Sequence, residues 1–341
     1  MKAINSEGKN TMKIAVILGG TSTEREISLK SGEAIYNSLI RNGYEVEKID
    51  PQNDNLYLKL KEVNPESVFI ALHGLGGEDG SIQGFLEQLN IPYTGSKVLA
   101  SSLCMNKIYT QNIMKAHNIP IPDFFTIKKN SFNVKDLSSI VTKIKNSFGF
   151  PVLVKAPSQG STLGIYFINK EDVPYEIQLK NAFNLGFELE SELMIEKMIT
   201  PSDEITIGIL GNEKAFPLPT LEITTVSGYY DYDSKYTKGM CEHIIPARLP
   251  EDIRNKAKEL AVKIYEILGC RGFARADFMI KGEDILLIDI NTIPGFTEMS
   301  LLPDAAAHIG ISFDQLTDLI VKMSLGIEFP HEKYKDLLHE K

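Results

Sequence analysis

The spacing of apolar residues predicts a chain of short strands and amphipathic helices. Continuous apolar runs at 13–18 and 67–72 are typical of strands that are buried on both faces of a parallel sheet. Apolar residues at helical spacing predict long helices at 251–268 and 313–325. Further strands are predicted at 45–49, 124–127, 151–155, 165–168, 193–199, 204–210 and 214–218, and a short strand around Tyr93. Further helices are predicted at 81–89, 96–106, 107–117 and 135–147. The alternation of strands and helices predicts an α/β fold class.

One stretch near the C-terminus, residues 273–291, alternates with a period of two and predicts a hairpin of two strands. In the first strand Arg275 and Asp277 alternate with small or apolar residues, and in the second Asp289 and Asn291 do the same. Period-two alternation places each set on one face of its strand. Charged groups are costly to bury without partners, so this polar face is a candidate site.

The length of the hairpin loop decides which residues face one another. A two-residue loop at 282–283 would pair Asp277 with Ile288, whereas a three-residue loop at 282–284 pairs Asp277 with Asp289. We expect the three-residue loop, because such loops are common and use a left-handed residue for which glycine is suited. Oxygen ligands that converge on one face suit Mg²⁺ or Mn²⁺. The alternative is a surface ion pair with solvated neighbours.

Glycine-rich segments follow the first and third strands. The first leads into a helix through Glu24, but it lacks the full dinucleotide-binding fingerprint, and acids are also common at helix N-termini. The second, residues 73–80, begins with His73 and contains four glycines at the carboxyl end of a strand. Open α/β sheets bind ligands at that edge. A structural histidine is the alternative for His73.

Two longer loops carry further candidate chemistry. Residues 156–164 form a glycine- and hydroxyl-rich loop between two strands, with Lys155 at its root. We expect a flap that closes over phosphates, with an ordinary hairpin loop as the alternative. Residues 225–239 contain four tyrosines and several charges, which is typical of a lid or binding loop.

Composition excludes several classes of function. With 341 residues, 43% of them hydrophobic, the chain is ordinary for a globular protein of two or three domains, and its net charge of −9 argues against binding nucleic acid or an anionic membrane. No apolar run approaches the ~20 residues of a membrane span. The three cysteines match no zinc-site spacing and are expected to be reduced thiols of a cytoplasmic protein. Residues 1–11 are polar and are expected to be a disordered extension.

Eight features in a fixed order resemble the D-alanine–D-alanine ligases of the ATP-grasp superfamily. They are GGTSTEREIS (19–28), LHGLGGEDG (72–80), the helix at Lys107, VKAPSQGSTLG (154–164), EKM (196–198) with Glu204, YYDYDSKY (229–236), GFARADFM (272–279) and DINTIPGFTEMSLLP (289–303). The resemblance extends from Met12 to about residue 325. Any one of these motifs alone would be weak, but eight in order are very specific.

The resemblance implies an α/β protein with a three-domain ATP-grasp fold. An N-terminal open parallel α/β domain (12–96) would precede two ATP-binding α+β domains, of which 97–200 carries the flap and 201–341 carries the lid and the metal site. ATP phosphorylates the carboxylate of the first D-alanine in this family, and the amine of the second D-alanine then attacks the acyl phosphate. The resemblance also implies peptidoglycan precursor synthesis and a homodimer.

The resemblance assigns roles to individual residues. Those assigned to ATP are Lys107, Lys155 and Lys235 at the phosphates, Glu196, Lys197 and Ile199 at the adenine, and Glu204 at the ribose. Those assigned to two Mg²⁺ or Mn²⁺ ions are Asp277, Asp289 and Asn291. Those assigned to substrates and catalysis are Glu24, Ser161 and Tyr236 as a triad that closes the lid, Arg275 and the Gly295 amide at the oxyanion, Ser300 with Leu301 at the second carboxylate, and His73 as a further substrate-binding residue.

Two positions depart from the family pattern and leave alternatives open. Asp289 stands where the family generally has glutamate, and Asn106 stands where aspartate is usual. The leading hypothesis is a D-alanine–D-alanine ligase. The alternatives are a ligase that takes D-serine or D-lactate second, and a nucleotide-binding homologue that has lost catalysis through the change at Asp289. Tyr236 stands where relatives that form the D-lactate ester have a histidine, so the sequence predicts an amide product.

Overall fold

The computed structural model describes residues 12–160, 163–170, 172–225 and 241–338. The predicted extension, 1–11, lies outside them. The strands are β1 (Lys13–Ile17), β2 (Glu45–Ile49), β3 (Ser67–Ile70), β4 (Phe124–Lys128), β5 (Val152–Lys155), β6 (Ile165–Ile168), β7 (Glu192–Lys197), β8 (Asp203–Gly211), β9 (Phe216–Pro217), β10 (Leu221–Thr225), β11 (Cys241–Ile244), β12 (Gly272–Lys281) and β13 (Asp284–Asn291). The helices are α1 (Arg25–Arg41), α2 (Leu56–Val63), α3 (Ser81–Gln88), α4 (Val98–Met105), α5 (Lys107–Ala116), α6 (Leu137–Ser147), α7 (Tyr175–Leu189), α8 (Glu251–Ile267), α9 (Leu301–His308), α10 (Phe313–Ser324) and α11 (His331–Tyr334), with short 3₁₀ turns at Lys129–Ser131, Val134–Asp136 and Lys335–Leu338.

The first sheet is parallel, as predicted, with strand order β2-β1-β3. The predicted strand around Tyr93 is reduced to a single bridge with Val68. Helix α2 was not predicted; Asn55 caps it by accepting a hydrogen bond from the backbone N–H of Leu58.

The second sheet is antiparallel and has the order β4-β7-β5-β6. Helices α6 and α7 cover it and share its apolar core. Helix α7 is a second element that the sequence analysis missed, although Leu179, Phe183 and Phe187 recur at helical spacing on its buried side.

The third sheet is antiparallel, with the order β11-β10-β8-β12-β13 and β9 added on β8. Its core includes residues of α8 and also of α4 and α5, such as Cys104 and Met114. Helices α4 and α5 therefore pack on the third sheet, although they fall within the limits predicted for the central domain. Those domain limits remain predictions.

One apolar core joins the first and third sheets. It contains Ile14 and Val16 of β1 together with Phe273 of β12 and Leu316 of α10. The ring of Phe296 lies 5.7 Å from the ring of Phe69 and 5.8 Å from that of Phe273, which fixes the loop after β13 between the two sheets. In the described ranges, no helix is long and apolar enough to cross a membrane.

Candidate active site

A cavity of about 820 Å³ lies where the three sheets meet, a size typical of small-molecule sites. All the predicted site residues that the structure describes line it: Glu24, His73, Lys107, Lys155, Glu196, Lys197, Ile199, Glu204, Arg275, Asp277, Asp289, Asn291, Gly295, Ser300 and Leu301. The predicted Ser161, Lys235 and Tyr236, and the lid residues 226–240, lie outside the described residues. The structure thus brings together residues from segments nearly 280 positions apart.

The hairpin of β12 and β13 has the predicted register at its polar end. Asp277 pairs with Asp289, and Arg275 pairs with Asn291. Opposed residues of an antiparallel pair share a face, so both carboxylates and the amide point the same way.

The predicted hairpin loop is wrong. Strand β13 begins at Asp284, which pairs with Lys281, so the loop contains only residues 282–283. The register then shifts by one residue between Phe278 and Asp277, because Ile288 is accommodated as a β-bulge. The bulge restores the pairing that the three-residue loop was expected to produce.

Asp277 is held by neighbours on its own sheet. The guanidinium of Arg275 donates from Nε to Oδ1 and from Nη2 to Oδ2, each at 2.8 Å. Thr206 on β8, directly opposite Asp277, donates from its hydroxyl to Oδ1 at 2.6 Å. Thr206 was not predicted as a site residue, although alternation along β8 places it on the same face as Glu204.

Asp289 is held by helix α5. Its Oδ2 lies 3.2 Å from Nζ of Lys107, the first residue of that helix, and Lys107 also donates to the carbonyl of Gln159 at 3.2 Å. Asn106 caps the helix through its side-chain oxygen and donates from Nδ2 to the hydroxyl of Ser158 at 2.9 Å. This bond joins the start of helix α5 to the glycine-rich loop.

Lys155 and Glu196 form a buried ion pair on neighbouring strands β5 and β7. Nζ of Lys155 bonds Oε1 of Glu196, and both side chains are only 2% exposed. The other carboxylate oxygen of Glu196, Oε2, is buried and has no hydrogen-bond partner in the described part of the chain. A buried acceptor without a partner is costly, so this oxygen is suited to accept an N–H from a ligand in the cavity.

Glu24 lies at the N-terminus of α1 between two glycine segments. A Cβ added to Gly74 or to Gly160 would lie 2.8 Å or 2.6 Å from Oε2 of Glu24. The flap therefore approaches Glu24 at the residue before Ser161, and a side chain at that residue would displace the Glu24 carboxylate.

His73 and Ser31 hold the loop that carries Gly295. Nδ1 of His73 lies 3.0 Å from the carbonyl of Ile293, and Nε2 lies 2.9 Å from the hydroxyl of Ser31. The Ser31 hydroxyl also accepts the backbone N–H of Phe296 at 3.1 Å. A carbonyl can only accept, so Nδ1 carries a proton and donates to Ile293; Oε1 of Glu78 also lies 3.4 Å from Nδ1.

Further ionisable groups line the wall beyond Leu301. Arg248 binds Glu222 through two nitrogens and lowers the pKa of that carboxyl. His243 Nδ1 lies 2.8 Å from Asp304. Glu222, His243 and Arg248, which line the cavity, were not predicted from the sequence, because no local pattern shows that β10 pairs with β11.

Cys104 also lines the cavity and is a free, buried thiol, as is Cys270. Their sulfur atoms lie 3.7 Å apart. The contact with Cys270, burial and the nearby Asp289 raise the pKa of Cys104 well above its ordinary value, so the thiol stays protonated.

This arrangement can neutralise and position a phosphorylated substrate. Lys107, Lys155 and Arg275 line one cavity together with Gly295 and the facing carboxylates of Asp277 and Asp289. Phosphoryl transfer depends on charge neutralisation and positioning more than on covalent chemistry by the protein.

Known proteins similar to this chain are ligases of one family. The family models described as "D-ala D-ala ligase N-terminus" and "D-ala D-ala ligase C-terminus" match residues 51–96 and 113–322. The D-alanine–D-alanine ligase of Desulforamulus reducens is 46% identical over 315 residues, which cover 92% of this chain and 99% of the relative.

Solved structures agree with these matches. The D-alanine–D-alanine ligase of Bacillus anthracis has a TM-score of 0.78 at 33% identity, and the same enzyme complexed with ATP has 0.76 at 31%; both cover 93% of this chain and 98% of theirs. The VanG D-Ala:D-Ser ligase of Enterococcus faecalis has a TM-score of 0.75 at 29% identity and covers 92% of this chain and 100% of its own. The shared fold confirms the predicted ATP-grasp class.

Proposed function

The chain belongs to the D-alanine–D-alanine ligase family, and we propose that it joins two D-alanines at the expense of ATP for peptidoglycan precursor synthesis. The reaction passes through a D-alanyl phosphate and releases ADP and phosphate. The observation that carries the proposal is the cavity that Lys107, Lys155 and Arg275 line together with the facing carboxylates of Asp277 and Asp289.

The nucleotide occupies the part of the cavity between the second and third sheets. Lys107 and Lys155 bind its phosphates, and Lys235, which lies outside the described residues, joins them. The adenine lies against Glu196, Lys197 and Ile199, and Glu204 binds the ribose. The unpartnered buried Oε2 of Glu196 supports this placement, because the amino group of adenine is a donor that would satisfy it.

Asp277, Asp289 and Asn291 would hold two Mg²⁺ or Mn²⁺ ions. Their oxygen atoms lie on one face of the hairpin, and oxygen is the ligand that these ions prefer. No group of three or more acidic, histidine or cysteine side chains forms a metal site within the described segments, which fits ions whose remaining ligands are phosphate oxygens and water. When bound, the ions would neutralise charge on the transferring phosphoryl group.

The chain's own residues position both substrates. Glu24 binds the ammonium of the first D-alanine, with Ser161 and Tyr236 completing a triad that closes the lid. The carboxylate of this D-alanine takes the γ-phosphoryl group, and ADP leaves. The His73–Ser31 contacts hold Gly295, whose N–H faces the reacting carbonyl together with Arg275.

The second D-alanine binds through its carboxylate at Ser300 and Leu301. Its amine attacks the carbonyl carbon of the acyl phosphate, and the carbonyl oxygen takes negative charge. Arg275 and the Gly295 N–H stabilise that oxygen. The C–O bond to phosphate then breaks, the nitrogen loses a proton, and the dipeptide and phosphate leave. Enclosure of the site protects the acyl phosphate from water.

The test is phosphate release from ATP that depends on both D-alanine and Mg²⁺, with the product identified by mass spectrometry. ATP-dependent formation of D-alanyl-D-alanine supports the proposal. Nucleotide binding without phosphate release would instead favour a homologue that has lost catalysis.

D-serine is the second candidate for the second substrate, because the D-Ala:D-Ser ligase VanG is among the structural neighbours. An added hydroxyl is poorly rejected by a small pocket, by only ~100-fold in known cases. Competition of D-alanine, D-serine and D-lactate at equal concentrations separates these activities. Tyr236 leads us to expect the amide product rather than the D-lactate ester.

We also propose that the enzyme is a cytoplasmic homodimer, on the support of its family alone. Light scattering coupled to size-exclusion chromatography tests the dimer, and a mass equal to one chain of 38.0 kDa would refute it.

A further inference from the structure

The bulge at Ile288 is what brings Asp289 onto the face of Asp277. With the two-residue loop at 282–283, regular pairing would place Ile288 opposite Asp277. Asp289 would then point to the other face of the hairpin, since side chains alternate along a strand. Here Phe278 pairs with Leu287 and Asp277 with Asp289, so Ile288 is the extra residue. The facing of the two carboxylates therefore depends on one local irregularity.

Gln111 on α5 binds the backbone at that irregularity. Its side-chain nitrogen Nε2 donates to the carbonyl of Leu287 at 3.1 Å and to the carbonyl of Ile288 at 3.2 Å. In a regular strand consecutive carbonyls point to opposite edges, so one nitrogen could not reach both. The two N–H groups of one amide thus stabilise the bulged conformation itself.

The burial of Gln111 indicates that this position requires a side chain with hydrogen-bond donors. The side chain is 1% exposed, and its oxygen Oε1 is buried without a hydrogen-bond partner in the described residues. An apolar side chain of the same size would avoid the cost of that oxygen but could not bind the two carbonyls.

Helix α5 therefore contacts Asp289 in two ways. Lys107 pairs with its carboxylate, and Gln111, one turn further along, holds the backbone just before it. The backbone N–H of Leu287 also donates to the carbonyl of Pro120, 3.0 Å away, so the segment that follows α5 binds the same edge of β13.

We propose that Gln111 is a positioning residue for the metal site: it holds the bulge at Ile288 and thereby keeps Asp289 opposite Asp277. This inference rests on the proposed function, because it assumes that the two carboxylates bind a divalent cation.

The test is Mn²⁺ affinity, measured by electron paramagnetic resonance with ADP present, in wild type and in Gln111→Met. Methionine keeps the length of the side chain and removes its donors. We expect Mn²⁺ to bind about 10- to 100-fold more weakly, the usual effect of removing a group that orients a metal ligand. If Gln111→Met does not fold, Gln111→Asn is a milder substitution, because its side chain is one methylene shorter but keeps the amide. We expect a smaller loss of Mn²⁺ affinity in this variant.

Asn212→Leu is the matched control. Asn212 is half-buried, and its amide donates to the carbonyl of Met323 at 3.0 Å; its buried oxygen has no partner among the described residues, and Asn212 does not line the cavity. We expect a comparable loss of thermal stability and unchanged Mn²⁺ affinity. In an Asp289→Asn background, Gln111→Met should cause no further loss of affinity, because it acts through Asp289.

Wild-type Mn²⁺ affinity in a folded Gln111→Met protein would overturn the inference, as would an equal loss in Asn212→Leu. If wild type and Asp277→Asn bind Mn²⁺ equally poorly, the metal assignment in the proposed function fails instead.

Discussion

Removing the charge of Lys155 tests the buried ion pair of Lys155 with Glu196 in the cavity wall. Lys155→Met keeps the apolar stem of the side chain and deletes the ammonium group. Glu196 would keep its carboxylate in a position that is 2% exposed, and one of its oxygens already has no partner among the described residues. The variant therefore isolates the cost of an unpaired buried charge.

The expected destabilisation is large. Breaking a buried ion pair by removing one partner costs about 3–5 kcal/mol, whereas replacing both partners with apolar residues is often neutral or stabilising by about 1–4 kcal/mol. The free energy of unfolding of a whole protein is only about 5–15 kcal/mol, so Lys155→Met should lose a large fraction of its stability. The double variant Lys155→Met/Glu196→Met should recover the loss.

Urea unfolding followed by circular dichroism measures these free energies. Lys48→Met is the control, because Lys48 and its partner Glu33 are 40% and 51% exposed and such pairs contribute at most about 1 kcal/mol. ATP should raise the melting temperature of wild type and of Lys48→Met, but not of the stable double variant. A loss below about 1 kcal/mol in Lys155→Met, or a double variant as unstable as the single one, would refute the reasoning.

Three further predictions concern other parts of the structure. Asp277→Asn and Asp289→Asn should each abolish turnover while circular dichroism shows an intact fold, and near wild-type kcat at saturating Mg²⁺ in either would contradict the metal assignment. Ser31→Ala should cost about 1–3 kcal/mol of stability and lower kcat, with ATP affinity unchanged, because it leaves two buried groups near the oxyanion loop without a partner. Arg25 lowers the pKa of Asp50 below its ordinary 3.8, so Asp50→Asn should be less stable than wild type at pH 7; the difference should vanish as the pH falls through that lowered pKa, and a constant difference down to pH 2 would contradict this.

The polar face of the β12–β13 hairpin was predictable, because alternation follows from the geometry of a strand alone. The loop was not predictable, since both loop lengths are compatible with Gly282. The observed loop is one residue shorter than the expected one, and the bulge adds one residue to β13. The two differences cancel, so Asp277 still pairs with Asp289. Burial selects this result, because the slipped register would turn Asp289 toward the apolar core.

Contacts between distant segments were harder to predict than the elements themselves. Lys155 was identified from its position at the end of a strand. Its pairing with Glu196 depends on the strand order β4-β7-β5-β6, which no local pattern encodes. The same holds for Thr206, which reaches Asp277 only because β8 pairs with β12.

The two carboxylates of the candidate metal site are supported by different parts of the fold. Two like charges on one face repel, and each is paired with a basic side chain, Asp277 with Arg275 and Asp289 with Lys107. Asp277 is fixed within the third sheet, whereas Asp289 depends on helix α5. Changes in α5 should therefore weaken the site through Asp289 alone.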